Sequence, residues 1–476
     1  MGSIASSGST VITAKHGRFR RRLAMAVIGV VLLLIGGVAG LGVLLTSKND
    51  PSGATAASVP SAKLPHVGNA TPALAALSTT APSPDPAVLT RTLAPLLGAP
   101  ALGSGVKASV LDVATGNVLL DQSAADPGHP ASTAKLLTSV AALTQLGPSA
   151  TLTTTVVAGH APGEVVLVGG GDPTLSRTSP SQTYPGAATL AALAAQVRAA
   201  VPAGTPITRV VVDDSLFSGP LTAPGWQPGD APSSYAAPVT AAAVDGARVS
   251  PGSAGRSGQP GIDAGAALAD ALGASGATVV LGQAPAGAKT LGTVHSAPVE
   301  RLVEQALTMS DNMLAEALAR QVAIARHLPA SFAGSAQAVL ATVKGAGIDT
   351  TGATLVDGSG LSRQDKVPAR TLAAVLRGAA DGKLGNAAGL LSGLPVAGFD
   401  GTLADRGDTD PKTYPGSVRA KTGTLLGVHA LAGTVVTEDG RLLAFALLAD
   451  GTSGSETAAE SALDDIATQL ARCGCR

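Results

Sequence analysis

The chain has little that metal or redox chemistry could use. Of its 476 residues only two are cysteines, Cys473 and Cys475, spaced Cys-Gly-Cys at the C-terminus. A structural zinc site takes four ligands, and the seven histidines are scattered with no His-Glu-x-x-His run. Metal hydrolysis is therefore excluded, and no metal or cofactor is expected. A disulfide between the two cysteines, formed outside the cell, would staple almost nothing, so the pair reads as a dispensable tail. Aromatic residues are also scarce, at 2%, which leaves a core of Ala, Val and Leu. Charged residues make up 13% and cancel to a net charge of zero. No basic stripe of the kind that marks a nucleic-acid surface is present, so nucleic acid is not an expected partner. The 59 glycines and 32 prolines stay below the share of about 25–30% that marks low-complexity chains.

One long uncharged run is present. Residues 23–45 carry no charge and follow Lys15, Arg18, Arg20, Arg21 and Arg22. About 20 apolar residues span a bilayer as helix, and the basic flank stays on the cytoplasmic side. The run is too long for the apolar stretch of about 7–15 residues in a signal peptide. The expected order is a cytoplasmic basic tail (1–22), a membrane anchor (23–45) and a Pro/Ala/Ser spacer (46–83). The folded body then lies outside a single-pass cell-membrane anchor, or is secreted or wall-associated if a cut falls near Ala56.

The folded part, 84–476, divides by pattern. Helical spacing at 87–98, a hairpin over 106–122 and a helix opening at Pro130-Ala131-Ser132 form a first block, 84–147. From 148 to 289 short strands alternate with glycine-rich turns and Ala-rich helices at 186–200 and 262–274, a segment of domain size. The first domain resumes at 290–476. It has helix at 297–326, strand around Lys421, a hairpin turning at Glu438-Asp439-Gly440 and a final helix at 455–472. The fold class is α+β: an antiparallel sheet flanked by helices, a helical subdomain, and an inserted β-rich domain.

Three motifs then carry chemistry. In Ser132-Thr133-Ala134-Lys135 the serine and lysine are i and i+3 on a helix and share a face. Serine is a weak nucleophile without a base, and burial or nearby positive charge can make Lys135 that base. Ser132 also sits in a first helical turn, whose free N–H groups can bind an oxyanion. In Ser310-Asp311-Asn312, Ser310 can relay a proton from Lys135 to the leaving amine and Asn312 can bind a substrate amide, while Asp311 reads as structural. In Lys421-Thr422-Gly423-Thr424, Lys421, Thr422 and Thr424 suit a terminal carboxylate. Gly423 lets a substrate backbone approach, and the Thr424 N–H is a second oxyanion donor. His429, on the next strand, could face the cleft, but a lone histidine is more often structural, and His129 reads the same way.

With these motifs in this order, the chain resembles the D-alanyl-D-alanine carboxypeptidase/endopeptidase family, the class C low-molecular-mass penicillin-binding proteins, over roughly 85–476. Gly169-Gly170-Gly171-Asp172-Pro173-Thr174-Leu175 and Asp357-Gly358-Ser359-Gly360-Leu361-Ser362 are similar too. So is the long insertion between Ser132 and Ser310, which class A β-lactamases lack. The Ala- and Gly-rich, Lys-poor composition points to a high-GC actinobacterium. The resemblance implies a transpeptidase/β-lactamase-like domain and a serine-type D-Ala-D-Ala carboxypeptidase acting on peptidoglycan stem peptides, with DD-endopeptidase action beside it. It carries over Ser132 as nucleophile, Lys135 as base, Ser310 as relay, and Asn312, Lys421, Thr422, Gly423 and Thr424 as substrate binders. β-Lactam antibiotics are then expected to inhibit by acylating Ser132. The alternatives are a non-catalytic penicillin-binding envelope scaffold and a true β-lactamase.

Overall fold

The computed structural model describes residues 80–103, 105–406 and 416–475. The expected basic tail, the run at 23–45 and most of the spacer lie outside these residues. Among the described residues no helix is long and apolar enough to cross a membrane. The end of the expected spacer is docked rather than free. Ser83 Oγ donates to Asp112 Oδ2 at 2.6 Å, and the Ala81 carbonyl accepts from Arg441 Nη1 at 3.0 Å.

In chain order the first block holds α1 (Pro86–Leu97), β1 (Lys107–Asp112), β2 (Val118–Gln122), the two-residue β3 (Pro127–Gly128) and α2 (Lys135–Gln145). The insertion holds β4 (Thr153–Ala158), β5 (Glu164–Val168), α3 (Leu190–Ala200), β6 (Arg209–Asp213), α4 (Pro260–Ala271), β7 (Thr278–Leu281) and β8 (Thr290–His295). The chain then returns through α5 (Val299–Thr308), α6 (Asn312–Ala325), α7 (Phe332–Gly345), the short β9 (Val367–Pro368) and α8 (Ala369–Ala380). It ends with β10 (Val418–Leu425), β11 (Val428–Val436), β12 (Leu442–Asp450) and α9 (Glu456–Ala471).

The main sheet runs β10-β11-β12-β1-β2, antiparallel throughout. Both faces are covered, so its central strands read as nearly unbroken apolar runs. Alternate residues sort the two faces. Leu443, Phe445 and Leu447 of β12 pack with α1 and α9, whereas Ala444 and Ala446 face the core around α2 and α8. The small side chains on that second face let helices lie close to the sheet. Residues Lys135 to Leu143 of α2 are all buried, so the helix behind Ser132 is wrapped on every side.

The inserted segment forms its own five-stranded sheet, β7-β6-β5-β4-β8, with β5, β6 and β7 parallel and β4 antiparallel to its neighbours. The sheet is mixed and layered with α3 and α4 on one face, not simply β-rich, because parallel neighbours need a crossover helix between them. Strand β8 pairs with β4, so the inserted sheet ends at His295 and not at the expected 289. The expected helix at 297–326 is two helices, broken at Met309, Ser310 and Asp311.

Candidate active site

Ser132 lies in a single 3-10 turn, Ala131–Ala134, which runs into α2 at Lys135. Ala131 before it has φ 44°, a left-handed conformation that costs a β-carbon residue roughly 1–3 kcal/mol. Two close approaches hold that turn. Gly360 has φ +79°, and a β-carbon there would overlap the Ala131 carbonyl oxygen. A β-carbon on Gly423 would lie 2.8 Å from the Pro130 carbonyl oxygen. The absent side chain of Gly423 therefore makes room for the nucleophile's own backbone.

The Lys135 ammonium nitrogen lies 2.9 Å from Ser132 Oγ, 2.6 Å from Asn312 Oδ1 and 2.8 Å from the Ser359 carbonyl oxygen. Burial pushes its pKa down to about 8, against the opposing pull of Asp357, Glu316, Asp311 and Asp365. Lys421 is also fully buried and donates to the Thr422 carbonyl. Burial and then the charge of Lys135 hold it well below the ordinary lysine value. Two buried lysines so placed do not readily carry charge together, which frees one to act as base.

The second motif sits at the helix break. Ser310 has φ 53°, and Asp311 caps α6 by accepting from the Met313 and Leu314 N–H groups. The other oxygen of Asp311 accepts from Tyr184 Oη at 2.7 Å and Arg256 Nη2 at 3.3 Å, with Arg248 Nη2 at 3.6 Å. Burial would raise the Asp311 pKa, but Arg256 and Arg248 overcome it and hold the carboxylate far below its usual range. Asn312 accepts from Lys135 and donates through Nδ2 to the Tyr235 carbonyl at 3.1 Å. Its second amide hydrogen has no hydrogen-bond partner among the described residues.

Strand β10 is the edge of the main sheet. Its first half is covered on the outer side, where Ala420 N–H donates to Pro395 O and Ala397 N–H to Val418 O. Backbone direction repeats every second residue in a strand, so the N–H groups of Thr422 and Thr424 point to that same outer side. An edge strand with free amides accepts an added peptide strand. Ser132, Ser310, Asn312, Thr422 and Thr424 line one cavity of about 970 Å³, and Lys135 is buried behind it.

Four groups of residues here gave no signal of their own role in the sequence. Asp357 accepts from Ser359 N, Gly360 N, Ser362 N and Trp226 Nε1, and so shapes the loop whose Ser359 carbonyl meets Lys135. Glu316, also fully buried, accepts from Gly358 N. Burial and then Asp357 raise the Asp365 pKa well above its ordinary value, and Asp365 Oδ1 accepts from Val356 N–H at 2.6 Å. Tyr184, Arg248 and Arg256 come from the insertion. The family-like Asp357 motif could have marked the loop, but nothing local marks the insertion's arginines.

The chain matches the D-Ala-D-Ala carboxypeptidase 3 (S13) family over residues 89–258 and 252–471. It is 42% identical to carboxypeptidase DacB of Mycolicibacterium smegmatis, over 96% of this chain and 99% of that one. It is likewise 42% identical to carboxypeptidase Rv3627c of Mycobacterium tuberculosis, over 83% and 86% of the two chains. The structure resembles penicillin binding protein 4 of Haemophilus influenzae with a TM-score of 0.65 and 25% identity, covering 81% of this chain and 98% of that one. With these matches and the motif geometry together, the chain belongs to the S13 family of serine-type D-Ala-D-Ala carboxypeptidases.

Proposed function

We propose that this carboxypeptidase works through an acyl-enzyme on Ser132 and takes peptidoglycan stem peptides as substrate. The observation that carries the reading is Lys135: 2.9 Å from Ser132 Oγ and pushed down to about 8 by burial. Neutral Lys135 accepts the Ser132 proton as Oγ attacks the carbonyl of the penultimate D-Ala. The N–H groups of Ser132 and Thr424 take the oxyanion, each such donor contributing about 10²–10³ in rate. The C–N bond then breaks, and the leaving D-Ala amine receives the proton from Lys135 through Ser310. Water later attacks the ester, returning a proton to Ser132 and releasing the shortened peptide. Thr422 and Thr424 hold the leaving carboxylate, with Lys421 buried behind them. A cross-linked D-Ala–diamino acid bond fits the same scheme, with a larger leaving amine, and β-lactams react as mimics that deacylate slowly.

We further propose that the catalytic body faces outward from a membrane anchor at 23–45. The uncharged run behind five basic residues supports this. So does the Cys473–Cys475 disulfide, a bond favoured in oxidising compartments.

One probe tests both statements. A membrane-impermeant fluorescent penicillin should label the full chain on intact cells, and label Ser132→Ala not at all. Label on the wild type only after lysis would overturn the orientation. Rapid loss of label with lactam consumed would point to a β-lactamase, and no label on purified wild type would favour a non-catalytic scaffold.

A further inference from the structure

On this reading one arm of the cleft is still without a role. Beyond Thr424 the cavity continues to His429, Thr452, Ser455, Glu456 and Glu460. His429 lies directly opposite Thr424 on β11. Directly paired residues of an antiparallel ladder project from the same face, so the imidazole and the threonine side chain share the cleft side.

His429 is only 5% exposed. Its Nδ1 lies 3.0 Å from Thr452 Oγ1, and its Nε2 is buried with no hydrogen-bond partner among the described residues. Buried polar atoms of this kind are rare and ask for a partner. Burial lowers the pKa of the ring in spite of Glu460 and Glu456, whose charges raise it. At neutral pH the ring is uncharged. With Nδ1–H donating to Thr452, Nε2 carries a lone pair that no described residue meets, on a ring that lines the cavity. The charged groups around it are Glu456 and Glu460 at the start of α9, with Arg406 beside them. Arg406 is already engaged by Asp464 at 2.7 Å and Glu460 at 3.6 Å. Glu456 makes no ion pair among the described residues. The arm therefore offers an uncharged nitrogen acceptor and an unneutralised carboxylate.

Its position says which part of a substrate enters it. With the leaving residue's carboxylate at Thr422 and Thr424, as proposed above, the arm is the space beside it that the leaving side chain can enter. We propose that this arm is a subsite for the side chain of the leaving D-residue, selecting one that carries an ammonium. The ammonium donates to His429 Nε2 and faces Glu456. The proposal rests on Ser132 as nucleophile and on Thr422 and Thr424 as the carboxylate site.

The test compares acyl-D-Ala-D-lysine with acyl-D-Ala-D-norleucine, which matches its chain and lacks the charge. With the full chain, kcat/KM should favour the lysine peptide by about tenfold, what one charge-assisted hydrogen bond contributes. His429→Ala and Glu456→Gln should each erode that ratio, and the double variant should bring it near parity. Because the ratio is taken within each variant, partial loss of folded enzyme cancels. Equal rates on the two peptides in wild type, or a preference that survives in the double variant, would overturn the subsite. Failure of the catalytic reading looks different: neither peptide is cut and penicillin does not label Ser132, which removes the subsite with it.

Discussion

At the scale of the residue, the proposed base is set by what surrounds it. Lys135 must be neutral to accept a proton, so kcat/KM should rise with pH through an apparent pKa near 8, the value to which burial brings it. Among its neighbours, Asp357 does most to hold the proton on. Asp357→Asn removes that negative charge and should move the limb to lower pH, while weakening the loop that it shapes. Asp365→Asn should move the limb less than Asp357→Asn does, because Asp365 pulls on Lys135 less than Asp357, Glu316 or Asp311 and its own pKa is raised well above the ordinary value by burial and by Asp357. A pH–rate series on the three proteins checks this, and a larger downward move in Asp365→Asn than in Asp357→Asn would overturn it. The grouping of Ser132, Lys135, Ser310 and Asn312 at one cleft was legible from the order and spacing of the motifs. The carboxylates were not. Asp357, Glu316 and Asp365 act by being buried together, and burial of an acid leaves no local pattern.

At the scale of the element, the break between α5 and α6 matters more than either helix. Asp311 caps α6 and also neutralises Arg256, which is buried, and Arg248, which is partly so. Removing a capping side chain costs about 1 kcal/mol, and leaving a buried charge without its partner costs roughly 3–5 kcal/mol. Asp311→Ala should therefore lower the melting temperature clearly and slow acylation, because Ser310 and Asn312 flank it. Tyr184→Phe removes one hydrogen bond, costs roughly 0.5–1.5 kcal/mol, and should show the same two effects in smaller measure. Melting curves and penicillin-labelling rates check both. A normal melting temperature in Asp311→Ala would sink the account. Elements with a regular period or a marked turn, such as α1, the β1–β2 hairpin and α9, were readable within a residue or two. Helices α7 and α8 were passed over. In α7 (FAGSAQAVLATVKG) glycine and small residues blur the polar face that marks an amphipathic helix, and it is tertiary packing that decides the element.

At the scale of the whole molecule, the inserted segment is part of the active site and not an appendage to it. Tyr184, Arg248 and Arg256 hold Asp311, the Tyr235 carbonyl holds Asn312, and Trp226 holds Asp357. Sequence reading separated the two sheets because their patterns differ, but it could not see which side chains meet across the seam, as the separations of 127 residues between Tyr184 and Asp311 and 131 between Trp226 and Asp357 illustrate. The tail was also misjudged. Cys473 is buried in the core beside α1 and α9, and the Cys475 carbonyl accepts from Asp85 N–H at 2.6 Å, so the C-terminus is tied to the start of the fold.

The scarcity of aromatic residues has a practical side. The single tryptophan of the chain is Trp226, part-buried, donating to Asp357 and edge-on to Phe332 at 5.5 Å. Indole emission is sensitive to a neighbouring carboxylate and to water, and here it comes from one place. Fluorescence of the unlabelled protein therefore watches the seam between insertion and catalytic domain and nothing else. Circular dichroism watches every helix. If the seam is as integral as its hydrogen bonds indicate, denaturation followed by the two signals will superimpose; an earlier change in emission would mean that the insertion lets go first.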